Sequence, residues 1–142
     1  DFIPYCEELL SKYKSKKEIW NISGTNLQKG NLRGSGSYYF SKYFNCWGWA
    51  SWKDRWSNLD SDLESWPLIK RKNFLNTIFF DNKEINYWTK VFDDLFFHGK
   101  PDSWAYRWFY SCLINKGLTI IPNQNLIHNI GFDEFYISFY YL

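Results

Sequence analysis

The residues in this chain best suited to chemistry are aromatic rather than ionic. Trp47, Gly48 and Trp49 set two indole planes on either side of a residue that lets the backbone turn sharply or lets another group come close. Trp52 and Trp56 follow, with Lys53, Asp54 and Arg55 between them. Indole planes with cations just beyond them suit a sugar, or a base ring that carries a phosphate. The same residues also suit a packed core, and both readings stand at this point. On the functional reading Trp47, Gly48 and Trp49 line a cleft, and Gly48→Val is expected to abolish ligand binding more than it lowers stability. A second group gathers further along, where Asp102 precedes Trp104, Tyr106 and Arg107. Asn26, Gln28 and Arg33 offer hydrogen bonds to hydroxyls or phosphates from a polar loop, although plain solvation is the default for them.

Other chemistries lack their motifs. There is no GxxxxGK[ST] or GxGxxG phosphate cradle, no HExxH, no zinc spacing and no GxSxG elbow. His98 and His128 are too few for a histidine metal site. The paired acids Asp60/Asp62 and Asp93/Asp94 read as exposed surface. Cys6, Cys46 and Cys112 are odd in number, far apart and without a CxxC, so they read as small apolar residues of a reducing, cytoplasmic compartment. The net charge of +2 and pI of about 8.4 are too mild to argue for nucleic acid, and the Lys and Arg residues are scattered rather than striped. No apolar run approaches the roughly 20 residues of a membrane span, so no span is expected. The opening residues lack the pattern of a signal peptide, so none is expected there. No methionine is present, so the chain is expected to be a portion of a longer gene product.

The elements that must position these residues follow from periodicity. Residues 4–16 read as a helix and residues 19–22 as a short strand. Residues 25–36 are rich in Asn, Gln, Gly and Ser and form a loop long enough to cover the Trp47 corner. Tyr38 and Phe40 alternate with Tyr39 and Ser41 as in a half-buried strand. From Ala50 a helix is expected, with Trp49, Trp52 and Trp56 at i, i+3 and i+7 on one face. A polar linker over residues 57–64 leads to a short helix with an irregular end over residues 68–80. Residues 84–97 form a helix whose apolar face carries Ile85, Trp88, Val91, Phe92, Leu95 and Phe96, ended by Gly99 and Pro101. Asp102 or Ser103 caps the next helix, which runs to about Lys116, with Gly117 as its left-handed stop. Residues 118–121 and 126–130 read as two short strands. Helices and strands alternate, so the class is α/β or α+β, with helices packed on a small mixed sheet. At 142 residues with 23% aromatic content, the chain reads as a single domain or fragment with a real core.

Several stretches together resemble a known family. CEELLSKYK and ISGTN, then YYFSKYFNCWGWASWKDRW, then SWAYRWFYSCLINKGLTIIPNQNLIHNIGF are similar, in the same order over residues 2–132, to the later part of nucleotide-diphospho-sugar transferases. These are GT-A-type glycosyltransferases of bacterial sugar-polymer synthesis. The resemblance implies the C-terminal, acceptor-side half of a GT-A-like α/β fold, and transfer of a sugar from a nucleoside diphosphate sugar to a carbohydrate acceptor. It implies a divalent metal, Mn or Mg, held by an acidic motif upstream of Asp1, and no metal ligand within this chain. It also implies substrate contacts from Trp47, Gly48, Trp49, Trp52, Trp104, Tyr106 and Arg107. The chain departs from the family pattern at Ala105, where an aspartate is expected, and at Arg107, where a glutamine is usual. Asp102 is then the candidate catalytic base, because it stands one helical turn before Ala105. Its competing role is helix N-cap.

Two other functions use the same residues. A non-catalytic carbohydrate-binding module needs the aromatic platform and no base. A single-strand nucleic-acid binder, ranked lower, needs aromatics with Lys and Arg, and salt dependence separates it from neutral-sugar binding.

Overall fold

The computed structural model describes residues 1–128. The order of elements is α1 (Phe2–Lys12), β1 (Ile19–Ser23), β2 (Tyr38–Ser41), β3 (Trp49–Ser51), α2 (Lys53–Trp56), α3 (Trp66–Arg71), a 3₁₀ turn (Phe74–Thr77), α4 (Asn82–His98), α5 (Trp104–Ile114) and β4 (Leu118–Pro122). The four strands form one mixed sheet in the order β2-β4-β1-β3. β1 and β4 run parallel at its centre, and β2 and β3 add antiparallel to either side. The fold is therefore mixed α/β with helices on a small sheet, as the alternation of elements implies.

Side-chain alternation along β1 and β4 divides the core. Ile22 and Ile120 face α1, where they meet Cys6, Leu9 and Trp52. Asn21 and Thr119 face α5. There the fully buried Asn21 amide donates to Thr119 Oγ1 at 3.3 Å and to Cys112 Sγ at 3.2 Å, and its Oδ1 accepts from Trp108 Nε1 at 2.6 Å. Every polar atom of that side chain has a partner, which is the condition for burying it. Beyond α5, Trp66, Phe79, Phe92, Phe109 and Tyr110 form a second core that binds α3 and α4 to α5.

Three expectations are corrected. Residues 49–51 are strand, not the start of a helix: Trp49, Ala50 and Ser51 pair with Ser23, Ile22 and Asn21 of β1. The helix that follows is a single turn, Lys53–Trp56. Strand alternation thus sends Trp49 toward Trp108 and Trp52 toward α1, so the two indoles do not share a face. The left-handed residue after α5 is Lys116 at φ 53°, not Gly117. Gly117 is glycine for another reason: a Cβ there would lie 2.4 Å from Trp20 Cγ. Leu126 to His128 are irregular rather than strand, and the remainder of the expected strand, with the tail after it, lies outside the described residues.

Other boundaries agree with the sequence. Asp81 caps α4 by accepting from Lys83 N at 2.8 Å, and Gly99 at φ 64° closes it. Ser103, rather than Asp102, caps α5, its Oγ accepting from Ala105 N at 3.4 Å. Among the described residues no helix is long and apolar enough to cross a membrane.

Candidate functional site

β1 and β4 are parallel, so their carboxyl ends lie on the same side of the sheet, the usual location of clefts in α/β proteins. The segments leaving those ends are fastened to the Trp47 corner. Gly24 N donates to Gly48 O at 2.6 Å, and Thr25 Oγ1 donates to Trp47 O at 2.5 Å. Asn26 Nδ2 donates to the carbonyls of Pro122 at 2.7 Å and Asn123 at 3.1 Å, while its Oδ1 accepts from Gln28 N at 2.7 Å. Asn123 holds the far end of the same loop by donating to Arg33 O at 3.0 Å and Gly36 O at 2.7 Å. The amides of Asn26 and Asn123 therefore build the loop.

These segments enclose a cleft of about 720 Å³. One wall is the loop carrying Asn26, Leu27 and Lys29, and a second is residues 43–47. The third is Trp88 of α4 with Ser103, Ala105, Tyr106 and Phe109 of α5. Its surface is mostly apolar, led by the rings of Tyr43, Phe44, Trp47, Trp88, Tyr106 and Phe109, with Asn26, Asn45 and Ser103 as polar lining residues and Lys29 as the one charged lining residue among those described. The loop over residues 25–36 thus does border the site of Trp47. Behind the wall, Tyr43 stacks on Phe79 and Phe109, both with ring centroids 6.3 Å away, and Trp88 packs on Phe109 at 4.5 Å. The rings that line the cleft are therefore braced by core rings.

The residues singled out from sequence do not all come together. Trp47 and Tyr106 line the cleft. Trp49 and Trp104 stack on each other at 5.2 Å and meet Trp56 at 5.5 and 5.9 Å, forming a separate indole cluster outside the cleft. Phe44 belongs to both, lining the cleft while touching Trp49 at 5.4 Å and Trp104 at 6.1 Å. Gly48, at φ 57°, is closely approached as its residue type implies, but by this chain's own Ile127: a Cβ there would lie 2.3 Å from Ile127 Cγ1.

Trp52, Arg107 and Arg55 lie outside the cleft lining and are engaged by partners within the fold. Trp52 is buried against α1, with its Nε1 donating to Leu10 O at 3.0 Å, so it does not reach the cleft. Arg107 Nε donates to Ser61 O at 2.8 Å, which ties the linker before α3 to α5. Arg55 is not a free cation beside the indoles. Only 3% exposed, it stacks on the Trp52 ring at 4.5 Å and donates to the carbonyls of Lys14 and Lys16 at 2.8 and 3.2 Å and to Asp54. Asp102 is exposed, lies outside the cleft lining and receives no hydrogen bond from the described residues. The position that does face the cleft is Ala105.

The paired acids carry more structure than an exposed reading implies. Asp60 accepts from Ser65 Oγ at 2.9 Å, and Asp93 from Lys70 Nζ at 2.7 Å and Trp66 Nε1 at 3.0 Å. Among the described residues no three His, Cys, Asp or Glu side chains gather as metal ligands, and the cleft lining holds no carboxylate. Hard divalent cations require such oxygens, so the donor set of this cleft does not fit Mn or Mg. Cys6 and Cys112 are buried and Cys46 lines the cleft; all three are free thiols. Burial holds the Cys46 thiol above its ordinary pKa, which disfavours the nucleophilic thiolate.

Sequence reasoning missed Tyr43, Phe44, Asn45, Trp88 and Phe109. The first three fall inside the stretch marked by its aromatic density, but nothing in their spacing separates lining from packing. Trp88 was legible only as part of an apolar face, and an apolar face has the same pattern whether it meets a core or a cleft. Tyr43 also carries a polar partner, since its hydroxyl donates to Glu84 Oε1. Burial first, and then the neighbouring Glu84, hold that phenol well above its ordinary pKa, so it acts as the donor. No family model, no curated protein and no solved structure matches this chain.

Proposed function

We propose that this chain is the acceptor-side portion of a glycosyltransferase that uses a nucleoside diphosphate sugar, and that the aromatic cleft holds the carbohydrate acceptor. The observation that carries the reading is the lining itself. Trp47, Trp88, Tyr106 and Phe109 present ring surfaces to about 720 Å³, with Asn45 and Ser103 at its edges. Sugar rings offer apolar C–H faces that stack on aromatic planes and hydroxyls that need fixed polar partners. A diphosphate needs a backbone-amide cradle or several cations, and Lys29 alone does not supply them. The cleft therefore suits a neutral acceptor better than a donor nucleotide. The transferase reading adds the ordered motifs over residues 2–132. It is supported by Ala105, where those motifs expect a carboxylate, because that position faces the cleft. On this reading the metal and donor belong to chain beyond these residues.

The lack of a lining carboxylate among the described residues favours a second reading, a carbohydrate-binding module without chemistry. One experiment separates the two. Ligand-observed NMR with neutral trisaccharides of glucose, mannose and N-acetylglucosamine is expected to detect binding that Trp47→Ala and Trp88→Ala each weaken roughly tenfold or more. On the transferase reading this chain alone is inactive, so the binding trisaccharide is then incubated with Mn²⁺, a panel of nucleoside diphosphate sugars and the longer protein in which this chain is joined to its donor-side portion. Extension of the trisaccharide supports the transferase. Binding without extension leaves the module, and no binding removes both readings.

A further inference from the structure

Tyr43 lines the cleft, and its hydroxyl donates to Oε1 of Glu84. Glu84 stands in the first turn of α4, one turn before Trp88, and residues at i and i+4 share a helix face. Trp88 lines the cleft too, so Glu84, which is not itself a lining residue, adjoins two that are: Tyr43, bonded to it, and Trp88, one turn on along the same helix face. The side chain is half-buried, and no other hydrogen bond or ion pair from the described residues reaches it. One carboxylate oxygen is thus fixed by a protein donor, and the other has none among the described residues.

We propose that Glu84 is the carboxylate serving this cleft: it accepts a hydrogen bond from a hydroxyl of the bound carbohydrate, and Tyr43 is the positioning residue that orients it. The inference rests on the carbohydrate reading above and deepens it by naming the polar group that reads the sugar. A carboxylate that spends one oxygen on a protein donor keeps acceptor capacity on the other, in a fixed orientation. Hydroxyl-to-carboxylate bonds are stronger than neutral ones, so a single such contact contributes substantially to both affinity and orientation. Asn26, Asn45 and Ser103 alone give the cleft few acceptors. On this inference Glu84 supplies a further acceptor from the first turn of α4.

The test uses the whole chain and the trisaccharide panel named above, with affinity measured by titration NMR and folding by thermal melting. Glu84→Gln keeps the size of the side chain and is expected to weaken trisaccharide binding roughly tenfold, with a melting temperature close to that of the wild type. Tyr43→Phe keeps the ring stack and releases the carboxylate; it is expected to weaken binding severalfold. Glu84→Asp is expected to recover part of what Glu84→Gln loses. If the wild type binds a trisaccharide and Glu84→Gln binds it equally well, the Tyr43–Glu84 pair only braces residues 43–47 against α4, and the inference is overturned. Should Glu84→Gln fail to fold, Tyr43→Phe decides, and an unchanged affinity overturns the inference. Failure of the wild type to bind any member of the panel removes the carbohydrate reading itself, and the inference with it.

Discussion

Two glycines illustrate how one residue type answers different demands. Gly48 stands at φ 57°, where an added Cβ costs about 1–2 kcal/mol, and Ile127 fills the space that Cβ would need. Gly117 has an ordinary φ, but Trp20 packs 2.4 Å from its virtual Cβ. Trp20 has no room to yield, since it stacks on Trp108 at 5.4 Å and donates from Nε1 to Lys17 O at 3.1 Å. Gly117→Ala is therefore expected to destabilise by about 1–3 kcal/mol through overpacking, although alanine is compatible with the backbone there. Gly48→Val is expected to lower stability by a similar amount, reversing the order anticipated from sequence, because the group that approaches this glycine belongs to the protein. Urea denaturation of both variants checks this; unchanged midpoints would refute the packing argument. That Gly48 needed space was legible between two tryptophans. What occupied the space was not, since Ile127 is far away in sequence and joins the corner only through the fold.

At the scale of elements, α5 carries the clearest test. Ser103 Oγ accepts from Ala105 N, and Asp102 bonds to nothing described. Ser103→Ala is expected to cost about 1 kcal/mol, Ser103→Asp to retain the cap, and Asp102→Asn to change stability by less than about 0.5 kcal/mol. Chemical denaturation monitored by indole fluorescence reads all three; a larger loss for Asp102→Asn would return the cap to that residue. The sequence left Asp102 and Ser103 open because both are good caps, and only the backbone decides which one faces the free amides. The helices α1, α4 and α5 were legible because long amphipathic periods and end signals agree. The segment over residues 49–51 was not. Its i, i+3, i+7 tryptophans fit a helix, yet three residues paired to β1 outweigh a local pattern whose helical continuation lasts one turn. The central pairing of β1 with β4 joins residues on either side of all five helices but α1, so no local signal announces it.

For the molecule as a whole, the aromatic and thiol-rich core predicts an asymmetric response to pH. Burial raises the Cys6 thiol from 9.0 to about 11 and the Cys112 thiol to about 12, the latter against an opposing hydrogen bond from Asn21. Burial likewise raises the Tyr110 phenol from 10.0 to about 12, and the Tyr5 phenol, whose buried hydroxyl has no hydrogen-bond partner among the described residues, moves the same way. In each case the folded protein retains a proton that the unfolded chain has released. Above pH 9 the unfolded state therefore binds fewer protons than the native state, and stability must fall as pH rises through the interval to about pH 12. On the acid side Asp54 is held at about 2, chiefly by Lys17 and then by Arg55, so its stabilisation is complete above 3.8 and lost as pH falls through about 2. That carboxylate is exposed and solvent screens the pair, so the acid limb from this source is shallow. Urea midpoints under reducing conditions are expected to hold steady from pH 7 to 8.5 and then decline progressively from about pH 9. The double variant Cys6→Ala/Cys112→Ala should flatten the first part of that decline, leaving the tyrosine part, while lowering the plateau through lost packing. A wild-type midpoint unchanged at pH 11 would mean that these groups are solvated in the native state, and that the core around Asn21 and Trp108 is not packed as described.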